Sequence, residues 1–499
     1  MSSILKVLAL DLGAESGRAV LGKFDGEGLS LEEVHRFPNE PVRIPDGLHW
    51  DVLRLFHEMK RGLGLAMQKH GKDLAGLGVD TWGVDFGLLG RGDVLLGNPH
   101  HYRDHRTDGA AGEVFKILPQ DEIFRRTGIQ FMQINTIFQL WAMKRSGSPI
   151  LEMAETLLML PDLFNFLFTG KKASEFTIAT TSELYDPTEG DWSRAILDAL
   201  GLPGHIFTHI VQPGTVIGPL GPWVAREIGA GGEIPVIAPA GHDTACAVAA
   251  VPARQADYVY ISSGTWSLVG VEVTRPVINE LTMTLNFTNE GGVAGTFRLL
   301  KNVTGLWLVQ QCRRAWERAG EALTYDQITE MARRARPLAS IIDPDCGRFL
   351  SPEDMPSEIQ RCCEETGQPV PQTRGEIVRC ALDSLALKYR WVVERLEDIL
   401  GRKLPVIHIV GGGTKNTLLC QLAANATGRP VIAGPVEATA IGNSIMQAMA
   451  LGYIRSIAEA REMVRRSFPL RAYEPVAAER GAWDDAYERF LKLLEACAT

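Results

Sequence analysis

Residues 4–24 read ILKVLALDLGAESGRAVLGKF and residues 257–273 read DYVYISSGTWSLVGVEV. In each, a β-branched and apolar run breaks at small residues, Gly13 to Gly17 in the first and Ser262 to Thr265 in the second, and then resumes. Strand, small-residue turn, strand is a hairpin signal. A turn whose backbone N–H groups are uncovered by side chains can cradle a phosphate. One glycine hairpin is commonplace in α/β proteins and says little. Two of them half a chain apart imply two similar halves, and two such loops facing each other across a cleft would hold a nucleotide triphosphate. Asp11 ends the first strand, where a carboxylate can orient a magnesium ion that keeps most of its waters.

The 499 residues allow about two to four domains, each with a full core. With 45% hydrophobic and 22% charged residues the chain reads as an ordinary globular protein. A net charge of −9 argues against nucleic acid or an anionic membrane as partner. The first apolar run is stopped by Asp11, too soon for a signal-peptide core, and nowhere do 18 apolar residues run unbroken. A cytoplasmic protein is therefore expected, a monomer or small homo-oligomer. The eight cysteines show no C-x-x-C, so zinc is not expected and reduced thiols are. Cys363 and Cys380 are expected to stay unpaired.

Apolar residues recur at helical spacing from Asp51 to Lys69, and a strand is expected at Leu77 to Val79. It runs into Asp80-Thr81-Trp82-Gly83-Val84-Asp85, where two carboxylates bracket a tryptophan and a glycine that lets a ligand approach the backbone. The plain alternative is a tight hairpin with exposed acids. Residues 98–108, NPHHYRDHRTD, offer the donors and acceptors of Tyr102, Arg103, Asp104, His105 and Arg106 to a polyhydroxylated ligand, or form a solvated turn. LPDLFNFLFTG reads as a helix ending at Gly170.

A strand at Pro235 to Ala238 then passes through Gly241-His242-Asp243-Thr244 into an alanine-rich helix. Asp243 thus lies near a helix N-terminus, where free N–H groups favour negative charge. It is either an N-cap or, with an oxygen turned into a cleft, a base. After the second hairpin, FRLLKNVTGLWLVQQCRRAWERAG reads as one helix capped by Asn302 or Thr304, and a long amphipathic helix is expected from Gly375 to Leu400. LPVIHIVGGGTKN is strand, glycine turn and helix start, fit for an anion or for close approach of a flat base. Neither G-x-x-x-x-G-K-[ST] nor G-x-G-x-x-G occurs, so neither a P-loop nor a Rossmann site is supported.

Taken in order, DLGAESGR, DTWGVDF, YRD, Gln133 with INT, GHDT, SSGTWSL, LKN-x-x-GLWL-x-Q, GGGTKNTLLCQLAA and GPVEATAIGN resemble the FGGY family of carbohydrate kinases, over most of the chain to about residue 455. The resemblance implies an α/β fold of two ribonuclease-H-like, actin-like ATPase domains with a nucleotide and sugar cleft between them. Cuts are expected to give residues 1–250 and 251–470, followed by a helical tail over 471–499. Within the family the match is nearest to members that phosphorylate L-rhamnulose at C1 in L-rhamnose catabolism. Another ketose or polyol kinase, such as one for L-fuculose, and an inactive sugar sensor are the alternatives.

Position by position, the resemblance implies that Gly13, Ala14, Glu15, Ser16, Gly17 and Arg18 wrap the terminal phosphates of ATP. It places Gly264 and Thr265 on phosphate from the second hairpin, and Asn302, Gln310, Gly411, Gly412 and Gly413 along the nucleotide pocket. Gly83, His242, Asp243 and Thr244 become sugar contacts and Asp243 the catalytic base; the polar residues Asp85 and Arg103 are expected to add donors and acceptors to the sugar, and Asp11 to be the ligand of Mg²⁺. Trp82 or Phe131 is a candidate for an apolar contact to a deoxy methyl group. Glu15 departs from the Ser or Thr of many relatives, and its carboxylate would repel a triphosphate unless it faces a cation.

Overall fold

The computed structural model describes residues 4–350 and 352–497. Two compact units form, and they interleave in sequence. The first comprises Met1–Arg254, Glu272–Leu299 and Ala438–Ser467, the second Gln255–Val271, Leu300–Glu437 and Phe468–Thr499. The chain therefore crosses between units where single cuts after residues 250 and 470 were expected.

In the first unit a sheet runs in the order Thr215–Pro219, Pro235–Ala238, Gly76–Thr81, Leu5–Leu12, Ser16–Phe24, Leu29–Pro38. Leu5–Leu12 pairs antiparallel with Ser16–Phe24 and parallel with Gly76–Thr81, so Asp11 stands opposite Arg18 on one side and Asp80 on the other. Side chains alternate across the sheet. Leu8, Leu10 and Leu12 join Leu77, Val79 and the buried face of helix Val52–His70 (Leu55, Met59, Leu63) in one core cluster. Each such side chain, fully buried, contributes about 1.5–3 kcal/mol. Asp51 caps that helix by accepting from the Arg54 N–H at 3.2 Å.

The opposite face is lined by small residues. Ala9 and Val20 meet Ala440 of helix Ala438–Ala450, while a Cβ added at Gly78 would stand 2.7 Å from Asn443 Oδ1. Closer still is the contact between this helix and Asp243–Ala249, since a Cβ at Gly442 would overlap the Cys246 carbonyl oxygen. That contact explains why residues 438–467 belong to the first unit. Helix Ala438–Ala450 is too apolar and too small-residue-rich to stand in water, and it fits a sheet face stripped of bulk.

The second unit repeats the strand order, with Phe297–Thr304, Trp266–Val273, Val259–Ser263, Ile407–Val410, Val431–Ala433 and Arg471–Tyr473 as successive neighbours. Val259–Ser263 is antiparallel to Trp266–Val273 and parallel to Ile407–Val410. In both units a central strand follows a hairpin plan on one side and parallel strands on the other. The long helix spans Arg374–Leu400, opened by a reciprocal Thr373–Glu376 capping box and closed by Gly401 in the left-handed region at φ 65°.

Residues 297–304 are a strand, not the start of a helix. The helix begins at Trp307, and neither Asn302 nor Thr304 caps it. The misreading has a physical source: this strand is buried on both faces, so the polar alternation that marks a half-exposed strand is missing. The described part of the expected tail, residues 471–497, is not separate either, because Arg471–Tyr473 pairs antiparallel with Val431–Ala433 before helix Arg480–Cys497. Cys363 and Cys380 are buried free thiols.

Candidate active site

Three carboxylates gather at the strand ends of the first unit. Asp11 is buried and paired with Arg18 Nη2 across the hairpin. Asp80, fully buried, accepts from Asn443 Nδ2 at 2.6 Å through Oδ2, while its Oδ1 has no hydrogen-bond partner. Burial, and then the charges of Asp11 and Asp243, push the Asp80 carboxyl well above the usual range. Asn443 is itself held by Gln447, whose Nε2 donates to Asn443 Oδ1 at 2.6 Å and to the Leu8 carbonyl at 3.0 Å.

Asp243 is the first residue of helix Asp243–Ala249, with His242 at the cap position and no side-chain cap bond. The capping alternative is therefore set aside. Its Oδ1 accepts from the N–H of Thr244 at 2.6 Å and from the Thr244 hydroxyl at 3.2 Å. The side chain is 29% exposed, open enough to meet a small molecule. Burial of the rest of the group raises its pKa from the ordinary value and Asp11 adds to the rise, while His242 opposes it.

His242 links Asp243 to a buried ion pair. Nε2 lies 3.5 Å from Asp243 Oδ1 and Nδ1 lies 3.1 Å from Arg298 Nη2. Glu290 Oε2 lies 3.2 Å from the same Nδ1, so a donor and an acceptor both face that nitrogen. The same guanidinium nitrogen lies 3.0 Å from Glu290 Oε2, and Arg298 Nε donates to the Gly291 carbonyl at 2.8 Å. A further layer holds the loop itself. Glu175 Oε2 accepts from the Gly241 N–H at 2.8 Å, and Thr177 Oγ1 accepts from that of His242 at 3.2 Å. Glu175, Glu290, Arg298 and Asn443 were not singled out in the sequence.

The segment 80–85 does not form an exposed acidic turn, because both Asp80 and Asp85 are fully buried. Val84 adopts φ 68°, a left-handed conformation that costs a β-branched residue about 1–2 kcal/mol. Three bonds hold it there: its N–H donates to Thr181 Oγ1 at 3.1 Å, and its carbonyl accepts from Thr136 Oγ1 at 2.7 Å and Gln139 Nε2 at 3.3 Å. Gly83, beside it, packs against Thr181, where a Cβ would lie at 3.2 Å.

Asp85 was expected to touch sugar, but its oxygens are already engaged. Oδ2 accepts from Trp50 Nε1 at 2.6 Å, Trp82 Nε1 at 2.9 Å and the Tyr102 N–H at 3.3 Å, and Oδ1 accepts from Gln139 Nε2 at 3.0 Å. Burial lifts its pKa to about 6 against these bonds. It therefore positions both tryptophans. Asp85→Asn is expected to destabilise the protein by about 2 kcal/mol or more, since the amide leaves a buried donor facing donors; the denaturant midpoint measures it, and an unchanged midpoint would refute this role.

Arg103 is half-buried, 5.3 Å above the Tyr102 ring. Trp82 packs tilted at 41° against Trp50 inside the core, their ring centroids 4.2 Å apart, and Phe131 sits edge-on to Phe115 at 5.4 Å. Core packing accounts for both of these apolar candidates.

In the first hairpin, the Gly13 N–H donates to the Ser16 carbonyl at 3.0 Å. Asn39 braces the turn, its N–H and Nδ2 donating to the carbonyls of Glu15 at 3.0 Å and Gly13 at 2.9 Å. Ala14 and Ser16 are half-buried and Glu15 is exposed. Gly17 has no room for a side chain, because a Cβ would enter the ring of Phe37.

The second unit carries the matching turn. The Gly264 N–H donates to the Trp266 carbonyl at 2.8 Å, and the carbonyls of Gly264 and Thr265 accept from Leu306 and Trp307 at 3.1 Å each. Helix Trp307–Arg318 is thereby fixed to the turn, and Gln310 on it has a buried Oε1 with no hydrogen-bond partner. Gly411, at φ 88°, and Gly413 both pack directly on Ser263, and Gly412 beside them faces open space. Asn302 is half-buried on the strand next to Trp266–Val273.

Residues 6–250 match the N-terminal domain, and residues 259–451 the C-terminal domain, of the FGGY family of carbohydrate kinases. The chain belongs to this family, as its motifs led us to expect. Among curated relatives, it is 46% identical over 482 residues to a rhamnulokinase of Bacteroides thetaiotaomicron, covering 97% of this chain and 98% of that one. It is 42% identical over 472 residues to a rhamnulokinase of Oceanobacillus iheyensis, covering 95% and 99%. Its fold is that of a xylulose kinase from Lactobacillus acidophilus (TM-score 0.82, 18% identity, 99% and 98% covered) and of Plasmodium falciparum glycerol kinase with ADP (0.77, 14%, 98% of each). The expected two-domain α/β kinase fold is thus the observed one.

Proposed function

We propose that this enzyme transfers the γ-phosphoryl group of ATP to the C1 hydroxyl of L-rhamnulose, giving L-rhamnulose 1-phosphate and ADP. The observation that carries the reading is Asp243, partly exposed at a helix start, free of a capping role and held by His242. Identity of 46% and 42% to two rhamnulokinases supports the choice of sugar.

Phosphoryl transfer is largely a matter of positioning groups and neutralising charge. Asp243 accepts the proton of the attacking hydroxyl. The Thr244 N–H and hydroxyl hold Oδ1 in place, and the His242–Arg298–Glu290 chain fixes the imidazole beside it. Ala14 to Gly17 and Thr265 offer backbone N–H groups to the phosphates, Arg18 offers a guanidinium, and Gly264 leaves room for close approach. Asn302, Gln310 and Gly411 to Gly413 line the nucleotide side, where the unpartnered Gln310 Oε1 suits an amino-group donor. Gly83, Arg103, His242 and Thr244 meet the sugar.

Mg²⁺ fits the first unit by donor chemistry: Asp11 is a carboxylate near enough to Asp80 and Asp243 to act on their charges, and oxygen donors suit an ion that keeps its waters. Asp11 would hold it, and the ion when bound neutralises phosphate charge. No helix among the described residues is long and apolar enough to cross a membrane, and a cytoplasmic location suits an ATP-dependent sugar kinase.

A coupled assay with MgATP and several sugars tests the assignment. kcat/KM for L-rhamnulose should exceed that for L-fuculose, D-xylulose and glycerol by at least about tenfold, one mispaired hydroxyl being enough. Equal or better turnover of any of the three would overturn the choice of sugar.

A further inference from the structure

Away from these residues, Asp46, His49 and His100 bring one carboxylate oxygen and two imidazole nitrogens within 4.8 Å of one another. Their backbone is firmly set. Val42–Ile44 and Gly47–His49 form a small hairpin, and His49 bridges antiparallel to His100. The two segments are tied by the His101 N–H donating to the Leu48 carbonyl at 2.8 Å, the Trp50 N–H to the Pro99 carbonyl at 2.9 Å, and the Leu48 N–H to Asp104 Oδ2 at 2.8 Å.

We propose that Asp46, His49 and His100 form a binding site for a divalent transition ion of the zinc class. The argument begins with the His49 tautomer. Its Nδ1 lies 3.0 Å from the Asn98 carbonyl oxygen, which only accepts, so Nδ1 carries a proton. Nε2 faces Asp46 Oδ1 at 3.1 Å. Two acceptors at that distance need something positive between them, either a second proton on the ring or a metal ion. A protonated His49 paired with Asp46 would account for those two residues but not for the third.

His100 is half-buried, its ring centroid 4.1 Å from that of His49, and among the described residues its imidazole has no hydrogen-bond partner. An ion would use it. The carbonyl behind His49 is the outer-shell partner that commonly fixes a metal-binding histidine. Two nitrogens and one carboxylate suit Zn²⁺, Co²⁺ or Ni²⁺ and not Mg²⁺, which takes oxygen. Three protein ligands leave a fourth position for water. Sequence spacing hid the site because Asp46 and His49 lie on one small hairpin and His100 on a distant segment, and the bound ion would clip the 42–49 hairpin to the segment leading into Tyr102 and Arg103.

Chelator-treated full-length protein titrated with Zn²⁺ should bind one equivalent at this site, with Kd in the micromolar range or tighter. Co²⁺ should give visible bands of a nitrogen and oxygen site, without the thiolate charge-transfer absorption that binding at cysteines would produce. Asp46→Asn and His100→Ala should each weaken binding at least about tenfold. Asp46 is exposed, so its variant tests the site even where the His100 variant folds poorly. Thiolate absorption alone, no saturable binding, or an affinity unchanged in folded Asp46→Asn would overturn the proposal.

Discussion

Asp243→Asn is expected to lower kcat by roughly 10²-fold or more while nucleotide affinity barely moves, the usual scale for losing a general base. The substitution is nearly isosteric, and its carbonyl oxygen can keep both bonds that Thr244 donates to Oδ1, so the helix start should hold its shape. What is lost is a group able to take a proton. The pH dependence gives a second readout with a definite sign. Burial and the charge of Asp11 raise the Asp243 pKa, so the acid limb of kcat/KM should lie above the ordinary Asp range. Below it Asp243 is protonated and cannot accept, and in the Asn variant that limb should disappear. Near-wild-type kcat would remove Asp243 from proton transfer, and an acid limb unchanged in the variant would assign that limb to another group.

Local signals carried much of this site. Asp11 at a strand end and Asp243 at a helix start each follow from a few neighbouring residues, because a strand, a glycine turn or a helix N-terminus is set by nearby chain. The partners that give these residues their properties come from far away. Asn443 meets Asp80 across 363 positions, and Arg298 meets His242 across 56. No local period encodes such pairs. GPVEATAIGN was legible as a family motif, yet nothing in it said that the helix would lie against the first sheet. One misreading has a cause of its own, that burial erases pattern: a strand buried on both faces imitated a helix at 297–304.

Gly442→Ala should be among the most damaging single-methyl additions to the first unit, because the added Cβ has nowhere to go. It would overlap the carbonyl oxygen of Cys246, a backbone atom within helix Asp243–Ala249, so one of the two helices must shift. Overpacking of this kind typically costs 1–3 kcal/mol, and with backbone on the receiving side we expect about 3 kcal/mol and a Tm lower by roughly 5 °C. The damage should reach function along two routes. The displaced helix carries Asn443 away from Asp80, and the other carries Asp243. Gly64→Ala supplies the control. Gly64 also lies within a helix, Val52–His70, but a Cβ there meets nothing within 4 Å, so alanine should stabilise by up to about 1 kcal/mol through helix propensity. If the two variants melt alike and turn over alike, the two helices are not in backbone contact. If Gly442→Ala alone loses stability and kcat together, then a helix from the C-terminal third of the sequence is what holds the catalytic carboxylates in register.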